Sequence, residues 1–298
     1  MIPALSIVVP VYNALPYLTE CLDSLVAQTL DPARFEILLV DDKSTDGSLA
    51  VCEDYAKRHG NIRVLPLPEN TPGGAGIPYN IGMANARGTY IGLVESDDAA
   101  LPDMFAELLT AAENADADLA LCSFTMYYMV ENVLRPPYDI EFWDELFVPG
   151  FAALSETEQK AVYLKTSPVP WRKLYKREFL QANALKFPVS DHPFEDMFFH
   201  WATILPAKTI TQVDKRLMTY RMQRPGQSVG MDGGKAALHQ AAHLAAIRKL
   251  LLQKDLYAAY YDTFLYTAAD TLARVPVDNP IRDQVEDTLI ALCTKPEE

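Results

Sequence analysis

Three carboxylates follow a short apolar stretch of the chain, and this arrangement suggests a site for a cation or a ligand. The segment from Thr89 to Asp98 reads T-Y-I-G-L-V-E-S-D-D, with the acids at its end. The apolar residues indicate a buried strand, and ligands of open α/β sheets bind at the carboxyl ends of the strands. Oxygen ligands such as Glu95 and Asp97 suit Mg²⁺ or Mn²⁺ that carries substrate phosphates. A solvated acidic turn at the start of a helix explains these residues equally well.

A second pair of acids ends another apolar stretch. Asp41 and Asp42 directly follow the residues from Phe35 to Val40. The turn K-S-T-D-G-S comes next, and its Ser and Asp side chains can cap a helix. Two strands that end in acids are a more specific signal than one, because the carboxyl ends of parallel strands meet at the same edge of a sheet.

Strands and helices alternate along the part of the chain that contains these acids. Strand patterns occur at 5–10, 35–40, 62–67, 119–126 and 210–220, and helical patterns occur at 16–30, 49–58, 80–86 and 156–164. This alternation predicts an α/β fold with a doubly wound, mostly parallel sheet. The aromatic and Pro-rich segment 131–150 has no clear period, and we expect it to be irregular.

A change in composition predicts a domain boundary near residue 228. A Pro-Gly pair and further glycines between 226 and 234 interrupt the pattern. We therefore expect a main domain at 1–228 and a helical C-terminal extension at 229–298. The apolar and Tyr side chains of this extension favour packing on the main domain or a homodimer contact over lipid binding, since nearby acids offset its lysines.

The charge and composition argue against several classes of function. With a net charge of -14 and 49% hydrophobic residues, the chain is typical of a soluble protein, and broad binding to nucleic acid or an anionic membrane is unfavourable. The four cysteines form no C-x-x-C pair, so we expect reduced thiols in a cytoplasmic protein rather than a zinc site or disulfides. We find no signal peptide or transmembrane run, so any membrane association is expected to be peripheral, at the inner membrane face.

Six motifs, taken in order, resemble those of the family 2 glycosyltransferases. They are S-I-V-V-P-V-Y-N, L-L-V-D-D-K-S-T-D-G-S, Y-I-G-L-V-E-S-D-D, W-R-K-L-Y, E-D-M and Y-R-M-Q-R, and they extend over residues 5–228. Each motif alone is weak, whereas the ordered set is specific. The resemblance implies the GT-A fold and the inverting transfer of a sugar from a nucleotide-diphosphate donor, with Mn²⁺ or Mg²⁺ as cofactor.

The resemblance also implies which residues bind the donor. The nucleotide-binding positions are Pro10, Tyr12, Asn13, Asp41, Asp42, Asn80, Asp98, Arg221 and Arg224. The metal-binding positions are Asp97, Glu95 and His192. Stacking of the base on the Tyr ring and hydrogen bonds from the nucleotide to the paired acids give these roles a physical basis. Strand-end turns and helix capping are the structural alternatives.

The acceptor side of the reaction is implied by a second group of residues. Asp196 matches the catalytic base, which must take the proton of the acceptor hydroxyl, and Glu195 is the neighbouring candidate. First-turn charge on a helix is the alternative explanation for these two acids. Trp171 and Lys173 match the segment that binds the acceptor, although a buried core Trp fits the same pattern.

The chain departs from the family pattern at two positions. Glu95 stands where the metal-binding D-x-D motif begins with Asp, and its extra methylene shifts the carboxylate by about one bond length. Tyr79 stands where the family commonly has Arg, so a hydroxyl and a ring replace a cationic fork. Both departures bear on the preference for donor and metal.

We therefore expect a metal-dependent inverting glycosyltransferase. Its donor is a nucleotide sugar, with a UDP-sugar preferred, and its acceptor is a saccharide or lipid-linked hydroxyl in surface polysaccharide synthesis. One alternative is a sugar nucleotidyltransferase, although the first strand–helix turn reads P-V-Y-N-A-L-P-Y in place of a Gly-rich Lys/Arg signature. The other alternative is a non-catalytic GT-A-like binding module.

Overall fold

The computed structural model describes residues 2–227 and 232–295, which form two compact units. The first unit consists of Met1–Pro137, Val169–Val189 and Pro206–Met222. The second unit consists of Tyr138–Pro168, Ser190–Leu205 and Gln223–Glu298. The boundary predicted at residue 228 lies outside the described residues. Each unit is built from separate segments of the chain. Residues 138–168 and 190–205 precede position 228 but belong to the same unit as the C-terminal helices.

A mixed β-sheet lies at the centre of the first unit. Its described strands are β1 (Leu5–Val11), β2 (Phe35–Asp41), β3 (Ile62–Pro66), β4 (Tyr90–Leu93), β5 (Ala99–Ala100), β6 (Leu119–Tyr128), β7 (Val133–Arg135), β8 (Lys173–Lys176) and β9 (Ile210–Met222). They are ordered β3-β2-β1-β4-β8-β6-β9-β5, and β7 pairs with β6. The longer pairings are parallel, whereas those made by β5, β7 and β8 are short and antiparallel. The predicted α/β class with a mostly parallel sheet is confirmed.

Helices cover this sheet and build the second unit. They are α1 (Leu15–Val26), α2 (Ser48–Arg58), α3 (Gly76–Asn85), α4 (Met104–Ala115), α5 (Ile140–Glu145), α6 (Glu156–Lys165), α7 (Arg177–Ala182), α8 (Glu195–Ile204), α9 (Gly233–Gln253), α10 (Tyr257–Ala273) and α11 (Arg282–Cys293). Helices α1 to α4 and α7 belong to the first unit, and the others belong to the second.

Strand β1 is buried along its whole length because helices pack on both of its faces. Ile7 and Val9 join the main hydrophobic cluster with residues of α1 and α4. Val8 points to the other face, where α3 approaches so closely that a Cβ at Gly82 would lie 2.1 Å from Val8 Cγ1. A strand covered on both sides has a continuous apolar sequence, which explains why this strand is evident from the sequence.

The second unit is a helical assembly in which α9 contacts α8, α10 and α11. Helix α6 begins with a capping box, in which Ser155 and Glu158 satisfy each other's main-chain amides. Trp201 of α8 packs edge-on against Phe264 of α10, with ring centroids 6.4 Å apart. No helix in the described part of the chain is both long and apolar enough to span a membrane.

Several elements differ from the sequence predictions. Helix α3 begins at Gly76, earlier than the predicted start at 80. Strand β7 and helix α5 fall in the segment 131–150 that we expected to be irregular, and β8 is a strand that the sequence pattern did not predict. The C-terminal region that we expected to be helical contains α9, α10 and α11 in its described residues. All four cysteines are free thiols, and three are buried while Cys293 is partly exposed.

Candidate active site

The carboxyl ends of β1, β2 and β4 lie side by side at one edge of the sheet. In the parallel pairing of β1 with β2, Val11 lies opposite Asp41. On the other side of β1, the amide of Val94 donates to the carbonyl of Val8 at 3.0 Å and extends the pairing with β4. The acids that follow β2 and the acids at 95–98 therefore come from strands that flank the same central strand.

Polar side chains join the loops that follow β1 and β2. The Asn13 amide donates to Ser44 Oγ at 3.1 Å, and Asn13 Oδ1 accepts from the Thr45 amide at 2.8 Å. The Ala14 amide donates to Ser48 Oγ at 3.0 Å. Asn13 has a positive φ of 47°, a conformation that Asn tolerates better than most residues. Asn13 thus has a structural role here, and its contact with a nucleotide stays a prediction.

Asp41 and Asp42 are both buried but differ in how their carboxylates are used. Asp41 Oδ2 accepts from the Ser44 amide at 3.2 Å, whereas the buried Oδ1 has no hydrogen-bond partner within the described residues. Asp42 accepts from the Thr71 amide and hydroxyl, both at 2.9 Å, and from Asn70 Nδ2 at 3.1 Å. Asp42 therefore fixes the loop after β3, while Asp41 retains the capacity to accept a further hydrogen bond.

The two remaining predicted residues at the end of β1, Pro10 and Tyr12, differ in their exposure to solvent. Pro10 is buried and lies opposite Val40 in β2. Tyr12 is 52% exposed, so its ring is accessible for stacking. An exposed aromatic ring beside the acidic edge of the sheet is compatible with the predicted contact with a base.

The acids after β4 form a tight, partly buried cluster. Asp98 is almost fully buried; its Oδ1 accepts from the Arg221 amide at 2.8 Å, and its Oδ2 has no partner in the described part of the chain. Burial, followed by the charge of Asp97, raises the pKa of Asp98 well above its usual value. The Glu95 carbonyl accepts from the Asp98 amide at 3.2 Å. Asp97 and Glu95 thus lie close enough to Asp98 for their charges to disfavour its ionisation.

Arg221, predicted to bind the nucleotide, is an internal part of this cluster. Its Nε donates to the Asp97 carbonyl at 2.8 Å, and its Nη2 pairs with Glu20 at 2.6 Å. The guanidinium also lies over the rings of Tyr17 and Tyr127, 5.1 and 5.8 Å from their centroids. Arg221 therefore fixes the acidic loop and places a positive charge beside it. Direct contact with the nucleotide stays a prediction.

The acidic cluster has the chemistry of a divalent-cation site that is completed by a ligand. Within residues 2–227 and 232–295, no group of three or more His, Cys, Asp or Glu side chains is arranged to hold a metal ion. However, Mg²⁺ usually takes one or two carboxylates together with substrate phosphates. A buried Asp98 oxygen without a donor, beside further carboxylates, is an environment that a cation would stabilise. The residues present therefore fit Mg²⁺ or Mn²⁺.

Tyr79 and Asn80 anchor α3 to other parts of the first unit. The Tyr79 hydroxyl donates to Glu95 Oε1 at 2.9 Å. The Asn80 side chain makes two hydrogen bonds of 2.9 Å, one to the amide and one to the carbonyl of Phe187. The amide group of Asn80 is thus engaged by the main chain, and its predicted role in nucleotide binding stays a prediction.

Trp171 and Lys173, predicted to bind the acceptor, are buried. Trp171 is 2% exposed and packs on Phe124 and Tyr220, with centroid distances of 4.9 and 5.1 Å. Lys173 is 1% exposed, and its Nζ donates to the Val169 carbonyl at 3.0 Å. Trp171 is therefore a core side chain, which is the alternative that the sequence left open.

The predicted catalytic acids lie in the second unit, at the start of α8. Phe194 precedes them with a positive φ of 73°. Glu195 is buried and Asp196 is half-buried, and Asp196 Oδ1 accepts from the amide of Met197 at 2.9 Å. Arg224 also belongs to this unit, where it donates to the carbonyl of the next residue at 3.3 Å. Placement of the two acids in the first turn agrees with the alternative of first-turn charge on a helix and leaves the base assignment a prediction.

The histidines of the second unit form contacts that the sequence did not predict. His192 Nδ1 lies 2.8 Å from His239 Nδ1, and His243 Nε2 lies 3.3 Å from the carbonyl of His192. His200 is buried, with Nε2 3.1 Å from the Tyr163 carbonyl, as expected for a structural histidine. The assignment of His192 as a metal ligand stays a prediction.

Sequence patterns missed several residues that shape the candidate site. Glu20 pairs with Arg221, and Cys21 Sγ lies 3.4 Å from the Glu95 carbonyl. Asn70 and Thr71 bind Asp42, although they were visible only as part of a loop. Only the positions of Glu20 and Cys21 in the sequence could have pointed to them, because both lie on the helix that follows the first strand.

Comparison with known proteins gives a family assignment that agrees with this geometry. A family model described as Glycosyl transferase family 2 matches residues 6–182. An uncharacterised glycosyltransferase, EpsJ of Bacillus subtilis, is 36% identical over 221 residues, which is 74% of this chain and 62% of that protein. A poly(ribitol-phosphate) beta-glucosyltransferase of Bacillus spizizenii is 30% identical over 227 residues, which is 76% of this chain and 33% of that protein. The chain thus spans about three fifths or less of these relatives.

Solved structures share the fold. TarS 1–349 of S. aureus, in complex with UDP-GlcNAc, has a TM-score of 0.65 and 21% identity, over 97% of this chain and 89% of that one. The mannosyltransferase PcManGT of Pyrobaculum calidifontis, in complex with GDP-Man and Mn²⁺, has a TM-score of 0.61 and 18% identity, over 98% and 81% of the two chains. At these identities the likeness establishes the fold.

Proposed function

The chain belongs to glycosyltransferase family 2, and from this membership we propose that it transfers a sugar, with inversion, from a nucleotide-diphosphate donor to an acceptor hydroxyl. A UDP-sugar is the preferred donor, and the acceptor is a saccharide or lipid-linked hydroxyl in surface polysaccharide synthesis. The observation that carries the proposal is the acidic cluster at 95–98, where the buried Asp98 Oδ2 has no donor among the described residues.

The donor would bind at the edge of the sheet where β1, β2 and β4 end. The exposed Tyr12 ring supplies a stacking surface for the base. Asp41 Oδ1, buried and without a partner in the described chain, supplies an acceptor for the imide of the base or a ribose hydroxyl. The UDP-GlcNAc bound by the structurally similar TarS supports a uridine nucleotide.

A divalent cation would be held by Asp97, with Glu95 beside it, once the donor phosphates are present. When bound, it supplies positive charge to the leaving diphosphate. The Mn²⁺ in the structurally similar PcManGT supports this cofactor. The overall charge of -14 makes such local positive charge necessary, because an anionic donor is otherwise repelled.

The acceptor hydroxyl would lose its proton to Asp196. In an inverting displacement the acceptor oxygen bonds to the anomeric carbon as the bond to the diphosphate breaks, so one carboxylate must accept the hydroxyl proton. Asp196 is half-buried in the first turn of α8, where it is tethered to the main chain through one oxygen. The relative named as a poly(ribitol-phosphate) beta-glucosyltransferase supports a polymer as the acceptor class.

A thermal-shift titration tests the donor site. We expect UDP to raise the melting temperature more than GDP or CDP does, and more with Mn²⁺ than without it. Mass spectrometry of the same protein with a panel of nucleotide sugars should then show slow donor hydrolysis. Stabilisation by UDP without any hydrolysis or transfer would favour a binding module, and no response to any nucleotide would contradict the proposal.

A further inference from the structure

Tyr79 and Glu95 are joined by a hydrogen bond although 16 residues separate them in the sequence. The Tyr79 hydroxyl donates to Glu95 Oε1 at 2.9 Å. We infer that Tyr79 is a positioning residue that orients the Glu95 carboxylate for donor binding, so that the two side chains act as one unit. This inference rests on the proposed function, because it gives Glu95 a part in holding the nucleotide-diphosphate donor with its cation.

The Tyr79 ring is held firmly enough to orient another side chain. Tyr79 is 1% exposed, and its ring stacks on Phe187 with centroids 5.2 Å apart and planes 20° from parallel. The main chain of Phe187 is in turn bound on both sides by Asn80, the next residue of α3. Two consecutive helical residues thus fix one aromatic contact, which leaves the Tyr79 hydroxyl little freedom.

The Glu95 main chain is fixed separately from its side chain. Its carbonyl accepts from the Asp98 amide at 3.2 Å and lies 3.4 Å from Cys21 Sγ. With the backbone held, side-chain length decides whether the carboxylate reaches Tyr79. An Asp at this position would place its oxygens about 1.5 Å short, since it has one methylene fewer. The length of Glu95 and the hydroxyl of Tyr79 are therefore matched to each other.

A matched pair makes a specific prediction about binding energetics. If Tyr79 contributes through Glu95, removing its hydroxyl weakens donor binding when Glu95 is present and has no further effect when Glu95 is absent. A role of Tyr79 in folding alone gives no such dependence. The two explanations are thus separated by a double-mutant cycle.

The cycle compares wild type, Tyr79→Phe, Glu95→Ala and the double variant by calorimetric titration with UDP in Mn²⁺. Tyr79→Phe keeps the ring stack and removes the hydroxyl, and we expect UDP to bind on the order of tenfold more weakly. Glu95→Ala should weaken binding at least as much. The double variant should bind within about twofold of Glu95→Ala alone.

Tyr90→Phe is the matched control. Tyr90 is also buried in the first unit, and its hydroxyl donates to the Ala112 carbonyl at 3.0 Å, away from Glu95. This variant should lose stability but retain wild-type affinity for UDP. The inference is wrong if the losses of UDP affinity from the two single substitutions multiply in the double variant, or if Tyr90→Phe weakens UDP binding as much as Tyr79→Phe does. Either result leaves the proposed function in place. A wild-type protein that binds no UDP would instead refute the proposed function, and the inference with it.

Discussion

The main-chain amide of Arg221, in β9, donates to the Asp98 carboxylate at 2.8 Å across 123 residues of sequence. The same residue's side chain bonds the Asp97 carbonyl and pairs with Glu20. One residue at the end of the last strand thus restrains the acidic loop through its main chain and its side chain. The loop is organised before any ligand arrives, which reduces the ordering cost of binding.

We predict that Arg221→Lys destabilises the protein and weakens UDP binding. Lysine lacks the planar fork that reaches the Asp97 carbonyl and Glu20 together, so the free energy of unfolding should fall by about 2 kcal/mol. Urea unfolding measures this loss. Arg34→Lys is the control, because the exposed pair of Arg34 with Glu113 should contribute under about 1 kcal/mol. Equal losses in both variants would contradict the role given to Arg221.

Asp46 should stabilise the two strand-end loops in a pH-dependent way. Its carboxylate accepts from the Ser48 amide and hydroxyl at 2.9 and 2.7 Å and from the Leu15 amide at 3.0 Å. Burial opposes ionisation, but the bonds from Ser48 and Leu15 outweigh it and lower the pKa of Asp46. Because the folded pKa lies below the unfolded one, the stabilisation is complete above about pH 4 and is lost as the pH falls through the folded value.

Asp46→Ala should therefore lower the free energy of unfolding by about 1 to 2 kcal/mol at pH 7, as expected for the loss of hydrogen bonds to a charged carboxylate. The difference from wild type should be unchanged at pH 5.5 and should shrink only in more acidic solution. Asp54→Ala, which removes an exposed pair with Arg58, serves as the control with little effect. A difference that varies between pH 7 and 5.5 would show that another group is responsible.

The cysteines should differ sharply in reactivity. Burial raises the pKa of Cys52 and of Cys122 to about 12, so neither forms the reactive thiolate at pH 8. Cys293 is partly exposed. Alkylation of the native protein followed by mass spectrometry should therefore modify Cys293 first and Cys52 and Cys122 only after unfolding. Rapid labelling of Cys122 in the native protein would contradict its buried position.

The sequence was sufficient for the elements with a strong local pattern. Strands β1 and β2 are buried on both faces and appear as continuous apolar runs. Strand β8 was missed because Lys173–Lys176 is short and becomes a strand only through its partners β4 and β6. Helix α3 was started too late, because the glycines before residue 77 resemble a loop although Gly76 opens the helix.

The candidate site was predictable in position and less so in detail. Acids at the ends of two strands locate it, since alternating strands and helices predict parallel strands whose carboxyl ends meet at one edge of the sheet. The partners of individual side chains are set by tertiary packing, as with Tyr79 and Glu95 or Arg221 and Glu20. The role of Trp171 could not be predicted for the same reason. An indole ring can bind the face of a sugar or pack in a core, and only the tertiary structure shows that Trp171 is buried.

We predict that Asp196→Asn abolishes transfer while it preserves donor binding. Asparagine keeps the oxygen that accepts from the Met197 amide but cannot take a proton, so the transfer rate should fall by about 10² to 10⁴. UDP affinity should stay within about twofold of wild type. Glu195→Gln is the matched comparison and should lose much less activity. A wild-type transfer rate in Asp196→Asn, or a larger loss of activity in Glu195→Gln than in Asp196→Asn, would show that Asp196 is not the catalytic base.

The most direct test of the account is a calorimetric titration of Asp97→Ala with UDP, with and without Mn²⁺. If the acidic cluster holds the cation together with the donor phosphates, the wild-type protein binds UDP at least tenfold more tightly with Mn²⁺, on the order of 1.4 kcal/mol or more. Asp97→Ala should lose that gain, while Glu53→Ala, which removes an exposed acid of α2, should keep it. An undiminished Mn²⁺ effect in Asp97→Ala would contradict the proposed site.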